Sequence, residues 1–470
     1  MPARRPNILL VMTDSSRRDT LSCYGAKHAV SPNLDRLAAE GVRFEQAHTS
    51  APVCTPARAS LLTGTHTPVH GCVENGISRR PDLRTLPQLL GGAGYHTIMV
   101  GKTHFGGPAA FDFESVLGGE KSADVEDDYA RQLAAHGFGR ASAPPNPVPP
   151  ELFCDAYLVD RTIEAIDRRP PDRPFFAFCS LPSPHSPLDP PGEWATLFSG
   201  AELPALNHRP GEEAERPTHL EKLVGRRGVE AGDADSGGGE LDLQVVDRQR
   251  RLYYGLAAYC DAQVGRLVDW LDANGLREDT LVVFTTDHGQ QYYDHGFNDK
   301  HTFYDESWRI PLVMRWPGVT AAGSVGQWAM TTDLTATFAA VAGVEAPTLQ
   351  GFDLTDPTAE RRTCAASVLH RSLALATDDW KLEYYPEDGT GRLFDRKNDP
   401  GEQYDRWAHQ PVVWQRLLEA LLTWRADLTD VQYLQEHTHQ GGPVAQRVAA
   451  QTARRTGADA ELRLSRRVQC

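Results

Sequence analysis

Residues 7–14, NILLVMTD, form an unbroken apolar run that stops at a carboxylate. A short run without alternation is the pattern of a strand buried on both faces, and such strands belong to parallel sheets covered by helices. Asp14 at its end is expected to face a site, because ligands of open α/β sheets gather beyond the carboxyl ends of the strands. Residues 279–289, DTLVVFTTDHG, repeat the design and end in Asp287 and His288. Two weaker candidates, YHTIMVGK (95–102) and PFFAFCSL (174–181), lead to Lys102 and towards His185. Four strand ends thus carry polar chemistry.

Helical patterns alternate with these strands at PNLDRLAAEG (32–41), DAYLVDRTIEAIDRR (155–169) and the long stretch 243–275, which closes on Asn-Gly. The alternation predicts an α/β fold: a large, mostly parallel (mixed) sheet flanked by helices. After about residue 360 the pattern changes to short strands and turns followed by an amphipathic helix, which reads as a smaller C-terminal α+β subdomain. The predicted organisation is a catalytic α/β domain over residues 1–360, the subdomain over 361–435, and a polar tail or oligomer arm over 436–470. Residues 200–239, rich in Gly, Glu and Arg without periodicity, read as a mobile insertion in the first domain.

Charged residues make up 24% and hydrophobic ones 40% of the 470 residues, which suits a globular enzyme. The formal net charge of −15 opposes nucleic acid or an anionic membrane as a general partner, while leaving room for a locally positive cleft. Eight cysteines are scattered without paired spacing, so a zinc ribbon or disulfide scaffold is not indicated, and a reducing, cytoplasmic setting is expected. The N-terminal apolar run is a strand's length and lacks a small-residue cleavage site, and no stretch reaches the roughly 20 apolar residues of a membrane span.

Residues 54–64, CTPARASLLTG, place a lone cysteine two residues before a proline and four before an arginine. As a bare pattern this is a helix start, with Thr55 as cap, Pro56 in the first turn and Cys54 as a small apolar filler. The whole stretch, however, resembles the sulfatase signature Cys-x-Pro-x-Arg with its Ser-Leu-Leu-Thr-Gly continuation. GKTHFG (101–106), PHSP (184–187), TTDHG (285–289) and KHTFYDESWRIPLVMRWPG (300–318) agree with that family in order and type, as does the segment WKLEYYPEDGTGRLFDRKNDPGE near the end. The chain is identified by these motifs as resembling formylglycine-dependent type I sulfatases of the alkaline phosphatase superfamily over roughly residues 5–430.

That resemblance implies a sulfuric ester hydrolase in which Cys54 is oxidised to formylglycine by a maturation enzyme that reads Pro56 and Arg58. A hydrated aldehyde suits the task because it can form a sulfate ester and then expel sulfate by collapsing, an exit a serine-like hydroxyl lacks. The resemblance further implies a divalent metal held by Asp14, Ser15, Cys54, Asp287 and His288. Hard oxygen donors point to Ca²⁺, with Mg²⁺ as an alternative, and the imidazole of His288 adds Mn²⁺. Lys102, His104, His185 and Lys300 resemble the family's sulfate-binding and acid/base groups, with Arg58 fixing the nucleophile and Asn75 and His295 as candidate substrate contacts. The second Asp-His-Gly, at 294–296, follows no apolar strand, so His295 is set at the rim; Tyr292, Tyr293 and Trp308 read as core aromatics. The expected substrate is a small-molecule or carbohydrate sulfate ester. Ser15 in place of a second carboxylate, together with His288, also resembles phosphonate monoester and phosphodiester hydrolases of the same superfamily. A catalytically silent binder of sulfated ligands is the remaining alternative, and the intact signature counts against it.

Overall fold

The computed structural model describes residues 5–106, 112–117, 128–140, 143–217, 220, 242–346, 348–356, 358 and 361–437. The expected tail beyond residue 437 lies outside the described residues, as does most of the expected insertion after residue 217.

The large sheet has eight strands: β1 (Asn7–Asp14), β2 (Val42–His48), β3 (His96–Gly101), β4 (Ser115–Leu117), β5 (Phe175–Pro184), β6 (Thr280–Thr286), β7 (Leu312–Arg315) and β8 (Gly323–Met330). Their order is β4-β3-β5-β1-β6-β7-β2-β8. Every neighbouring pair is parallel except the two made by β7, so the sheet is mixed, as its sequence suggested. The four strands whose ends carry polar groups, β3, β5, β1 and β6, are consecutive and parallel, so their carboxyl ends open on one crevice.

The pleat explains why β1 reads as continuously apolar. Ile8, Leu10 and Met12 face one layer, where they join Phe176, Phe178 and Val283 from the neighbouring strands and Leu61, Leu90 and Phe338 from helices Cys54–Thr63, Leu86–Gly92 and Thr331–Val341. Leu9 and Val11 face the other, with Val282, Phe284, and Leu37, Leu158 and Leu267 from helices Pro32–Glu40, Cys154–Asp167 and Leu243–Ala273. Both faces are covered, so alternation disappears from the sequence. The long helix also fixes the first one: Asp261 accepts the backbone N–H groups of Asn33 at 3.1 Å and Leu34 at 2.7 Å, which its first turn leaves without helical partners.

A second sheet, antiparallel in the order β12-β11-β10-β9, comprises β9 (Ala365–Leu369), β10 (Ser372–Ala376), β11 (Trp380–Tyr385) and β12 (Thr390–Asp395). Helix Pro411–His437 covers it through Leu417, Leu421, Trp424 and Leu428. The two sheets meet through an apolar cluster in which Val53, Trp308 and Trp328 pack against Ala365, Leu369 and Ala374. Val53 directly precedes Cys54, so this contact supports the position of Cys54.

Two glycines let the crevice form. Gly101, at φ +99°, ends β3 where a Cβ would lie 2.0 Å from the Ser180 carbonyl, and Gly289 follows His288 where a Cβ would lie 1.8 Å from the Glu306 carbonyl. Neither position has space for a side chain, so the Gly-Lys and Asp-His-Gly pairings have a steric cause.

Candidate active site

Cys54 is the first residue of helix Cys54–Thr63, and Val53 takes the cap position expected for Thr55. The first-turn N–H of Thr55 instead donates to Asn75 Oδ1 at 3.0 Å. Asn75, read from sequence as a substrate contact, therefore caps the helix that carries Cys54. The positive end of the helix lies at the thiol, which favours an anion there.

Around Cys54, within hydrogen-bond or near-contact range, lie groups from three of the four strand ends. Its Sγ is 3.1 Å from His288 Nε2, and 4.0 Å from both Asp14 Oδ1 and Lys102 Nζ. Asp14, Cys54, Asp287 and His288 are all buried and offer ligand atoms within 4.8 Å of one another. Arg58, one helical turn on from Cys54, is fully buried beneath them. Its Nε donates to Asp287 Oδ2 at 2.8 Å, its Nη2 to Asp14 Oδ2 at 3.2 Å, and its Nη1 to Ser180 Oγ at 2.8 Å and to the Lys102 carbonyl at 3.1 Å. Lys102 Nζ lies 2.5 Å from Asp14 Oδ2.

Ser15 belongs to this group in a different way from the one expected. Its hydroxyl donates to Asp14 Oδ1 at 2.9 Å and its N–H to Asp287 Oδ1 at 3.1 Å, from a left-handed backbone at φ +66°. Tyr253 OH holds the Ser15 carbonyl at 2.7 Å. Ser15 thus orients both carboxylates.

The donor set fits a divalent cation. Buried carboxylates and an imidazole converge, and His288 Nδ1 sits 2.7 Å from the Gly289 carbonyl, which requires the proton on Nδ1 and leaves Nε2 to face the cluster. Burial opposes a charge on His288, yet Asp287 and Cys54 push its pKa up to about 9: the pocket draws positive charge to this spot. Burial also opposes ionisation of Asp14, but Lys102, His185, Arg58 and His288 hold it well below the usual carboxylate range. For Cys54, burial and Asp14 raise the pKa, and Lys300, Lys102 and His288 outweigh them to hold the thiol well below its ordinary value.

Lys300 Nζ lies 2.8 Å from His185 Nε2, and His185 Nδ1 lies 2.8 Å from the Ser186 carbonyl. Lys300 stays charged although burial opposes it, because Cys54, Asp299 and Asp14 raise its pKa. His104 stands two residues beyond Lys102 on the same loop, half-buried at φ +44°.

His295 is elsewhere. It is fully buried, stacked on Tyr304 at a 3.6 Å centroid distance, with Nδ1 3.3 Å from Glu212 Oε2 and Nε2 3.0 Å from Asn207 Nδ2. Its hydrogen-bond partners Asn207 and Glu212 come from residues 200–217, so this first part of the expected insertion is anchored in a buried polar network. Tyr292, Tyr293 and Trp308 are buried, as core aromatics should be. Sequence reasoning missed Ser180 and Tyr253, which hold Arg58 and Ser15. An internal strand serine and a helical tyrosine carry no pattern that marks such a role.

This sheet and this cluster belong to a chain whose sequence matches hydrolases of the alkaline phosphatase superfamily. The family model described as Sulfatase matches residues 6–344, and that of the N-sulphoglucosamine sulphohydrolase C-terminal region matches residues 293–426. The chain belongs to the sulfatase family, as a type I member, and is thereby a sulfuric ester hydrolase. It is 28% identical over 446 residues to an arylsulfatase of Clostridium perfringens, covering 85% of this chain and 89% of that protein. It is 26% identical over 468 residues to the N-acetylglucosamine-6-O-sulfatase of Bacteroides thetaiotaomicron, covering 85% and 82%. The solved phosphonate monoester hydrolase of Agrobacterium radiobacter shares the fold, with a TM-score of 0.79 at 24% identity over 90% of this chain and 96% of that one.

Proposed function

We propose that the protein hydrolyses a sulfate monoester to an alcohol and inorganic sulfate, using formylglycine made from Cys54 and a divalent cation held by Asp14, Asp287 and His288. The observation that carries this reading is the convergence on Cys54 of Asp14, Lys102 and His288, with Arg58 locked beneath. Formylglycine, once hydrated, supplies one hydroxyl to attack sulfur and a second whose collapse releases sulfate. A cation held by Asp14, Asp287 and His288 would supply positive charge to the reacting sulfate group, and the oxygen-rich donor set favours Ca²⁺ over Mg²⁺ or Mn²⁺.

The chain's own groups account for the rest. Two carboxylates, Asp14 and Asp287, face three permanent cations, Arg58, Lys102 and Lys300, so a singly charged sulfate ester enters a locally positive site in an acidic protein. Lys102 and Lys300 offer fixed charge to the oxygens on which charge grows at the transition state. Arg58 keeps both carboxylates and the helix start in register. His185, hydrogen-bonded to Lys300, gives one proton to the leaving oxygen and regains one from the second hydroxyl of the hydrate as sulfate is expelled, a relay that leaves the alcohol neutral and returns His185 to its starting state. The substrate's organic part is a carbohydrate or a small alcohol. Cys23, Cys54, Cys72, Cys154, Cys179 and Cys260 are free thiols, whereas Cys364 is disulfide-bonded, which counts against the reducing, cytoplasmic setting expected from the cysteine spacing.

The alternative, hydrolysis of a phosphonate monoester, is favoured by the Asp287–His288 pair and by Ser15 in place of a second carboxylate. Lys102 and His104, which resemble the sulfatase pattern, favour the first reading. Protein co-expressed with a formylglycine-generating enzyme is expected to release sulfate from an aryl sulfate, and Cys54→Ala to release none while melting like the parent. Undiminished turnover in Cys54→Ala would remove the mechanism.

A further inference from the structure

A second cluster of metal-type side chains stands beside the site without belonging to it. Glu74 comes from the loop after the signature helix, His301 from the segment that bears Lys300, and His370 from the turn between β9 and β10 of the smaller sheet. Their ligand atoms all lie within 4.8 Å of one another. His370 Nε2 is 3.1 Å from Glu74 Oε2, and His301 Nε2 is 3.7 Å from Glu74 Oε1. Tetrahedral Zn²⁺ with bonds of about 2.0–2.1 Å holds its ligand atoms about 3.4 Å apart, so these separations need little adjustment.

We propose that Glu74, His301 and His370 form a second divalent-metal site, of the Zn²⁺ type, that clamps the signature-helix loop and the Lys300 segment to the smaller sheet. Two imidazoles and one carboxylate make a three-ligand set with an open fourth position. Such a set selects a borderline transition metal, whereas the oxygen-rich Asp14 cluster selects a harder ion. His301 has an outer partner of the kind zinc histidines use: its Nδ1 faces Asp299 Oδ2 at 3.6 Å. Both histidines adopt left-handed backbones, His301 at φ +78° and His370 at φ +52°, which cost energy for a residue with a Cβ and turn the two rings towards each other, 21° from parallel. An entry path exists, since the Glu74 and His370 side chains are 25% and 26% exposed while His301 is fully buried. The clamp joins residues next to catalytic ones: His301 follows Lys300, and Glu74 precedes Asn75, which caps the Cys54 helix.

The test is a Zn²⁺ titration of EDTA-stripped protein in excess Ca²⁺, read by calorimetry and by metal analysis after dialysis. The parent and Asp287→Asn are each expected to bind about one Zn²⁺ per chain at this site. Loss of an outer-shell partner alone costs roughly 10–100-fold in affinity, so His370→Ala and Glu74→Gln should weaken binding by at least about 100-fold. Melting curves matched to the parent confirm that both variants fold, and Co²⁺ should give four-coordinate visible bands that His370→Ala abolishes. Absence of stoichiometric Zn²⁺ binding, unchanged binding in His370→Ala, or its loss only in Asp287→Asn would each overturn the proposal. The Cys54→Ala turnover assay is independent of all three results.

Discussion

Replacing Arg58 by glutamine removes the one cation that, among the described residues, forms ion pairs with both buried aspartates. The guanidinium makes four hydrogen bonds at zero exposure, two to carboxylates and two that fix it to Ser180 and the Lys102 carbonyl. The loss does not fall equally on the two acids. Asp14 keeps Lys102 at 2.5 Å, whereas Asp287 is left with His288 at 3.7 Å as its nearest cation. Stranding one partner of a buried pair costs about 3–5 kcal/mol, and the share kept by Asp14 puts the expected cost at the lower end, about 3 kcal/mol. Arg58→Lys keeps a charge but cannot span both acids, so about half that cost is expected. Unfolding in urea, followed by fluorescence in EDTA on protein carrying unmodified Cys54, isolates the effect from metal binding and from maturation. Under these conditions Arg58→Gln should lose about 3 kcal/mol and Arg58→Lys an intermediate amount. In saturating Ca²⁺ the gap should narrow, because a cation bound to the native state restores the charge balance and stabilises that state alone. A loss below about 1 kcal/mol in EDTA, or a gap that Ca²⁺ does not change, would refute the view that Arg58 and the metal share the same carboxylates.

Asp287→Asn leaves the Arg58 Nε bond an acceptor but removes a charge from the Asp14 cluster, so Ca²⁺ content after dialysis should fall at least about tenfold; unchanged Ca²⁺ content would show that another carboxylate holds the ion. Asp261→Ala removes the acceptor for the Asn33 and Leu34 N–H groups, and should destabilise by about 2 kcal/mol with catalysis retained. A shift in urea midpoint worth less than about 0.5 kcal/mol would show that water replaces the cap. His185→Ala should lower kcat most for substrates with a poorly acidic leaving alcohol and little for an activated aryl ester, because the relay matters only where the leaving oxygen needs a proton. Equal losses on both substrates would deny His185 that role.

The central strands were legible because each is buried on both faces, so β1 and β6 read as apolar runs with no competing period. β2, VRFEQAH, was not, since it is only partly covered and mixes charged with apolar residues in the manner of a surface segment. Sheet order is a property of pairing between distant segments, and nothing local in PFFAFCSL announces that it lies between β3 and β1. The clustering of Asp14 and Asp287 at strand ends was readable for the same reason as the strands: a carboxylate closing an apolar run has few structural uses. His295 shows the limit. Its Asp-His-Gly setting duplicates that of His288, but no strand delivers it to the crevice, and its partners, Asn207 and Glu212, come from a stretch without periodicity. Glu74, His301 and His370 were invisible because three unrelated segments bring them together.

The most direct test of the central claim is the ratio of kcat/KM for an aryl sulfate to that for the matching aryl phosphonate monoester, on metal-replete protein matured by a formylglycine-generating enzyme. Sulfate hydrolysis through Lys102, His104 and Lys300 predicts a ratio well above one. A ratio below one would contradict it and make Ser15 and His288 the residues that define the reaction.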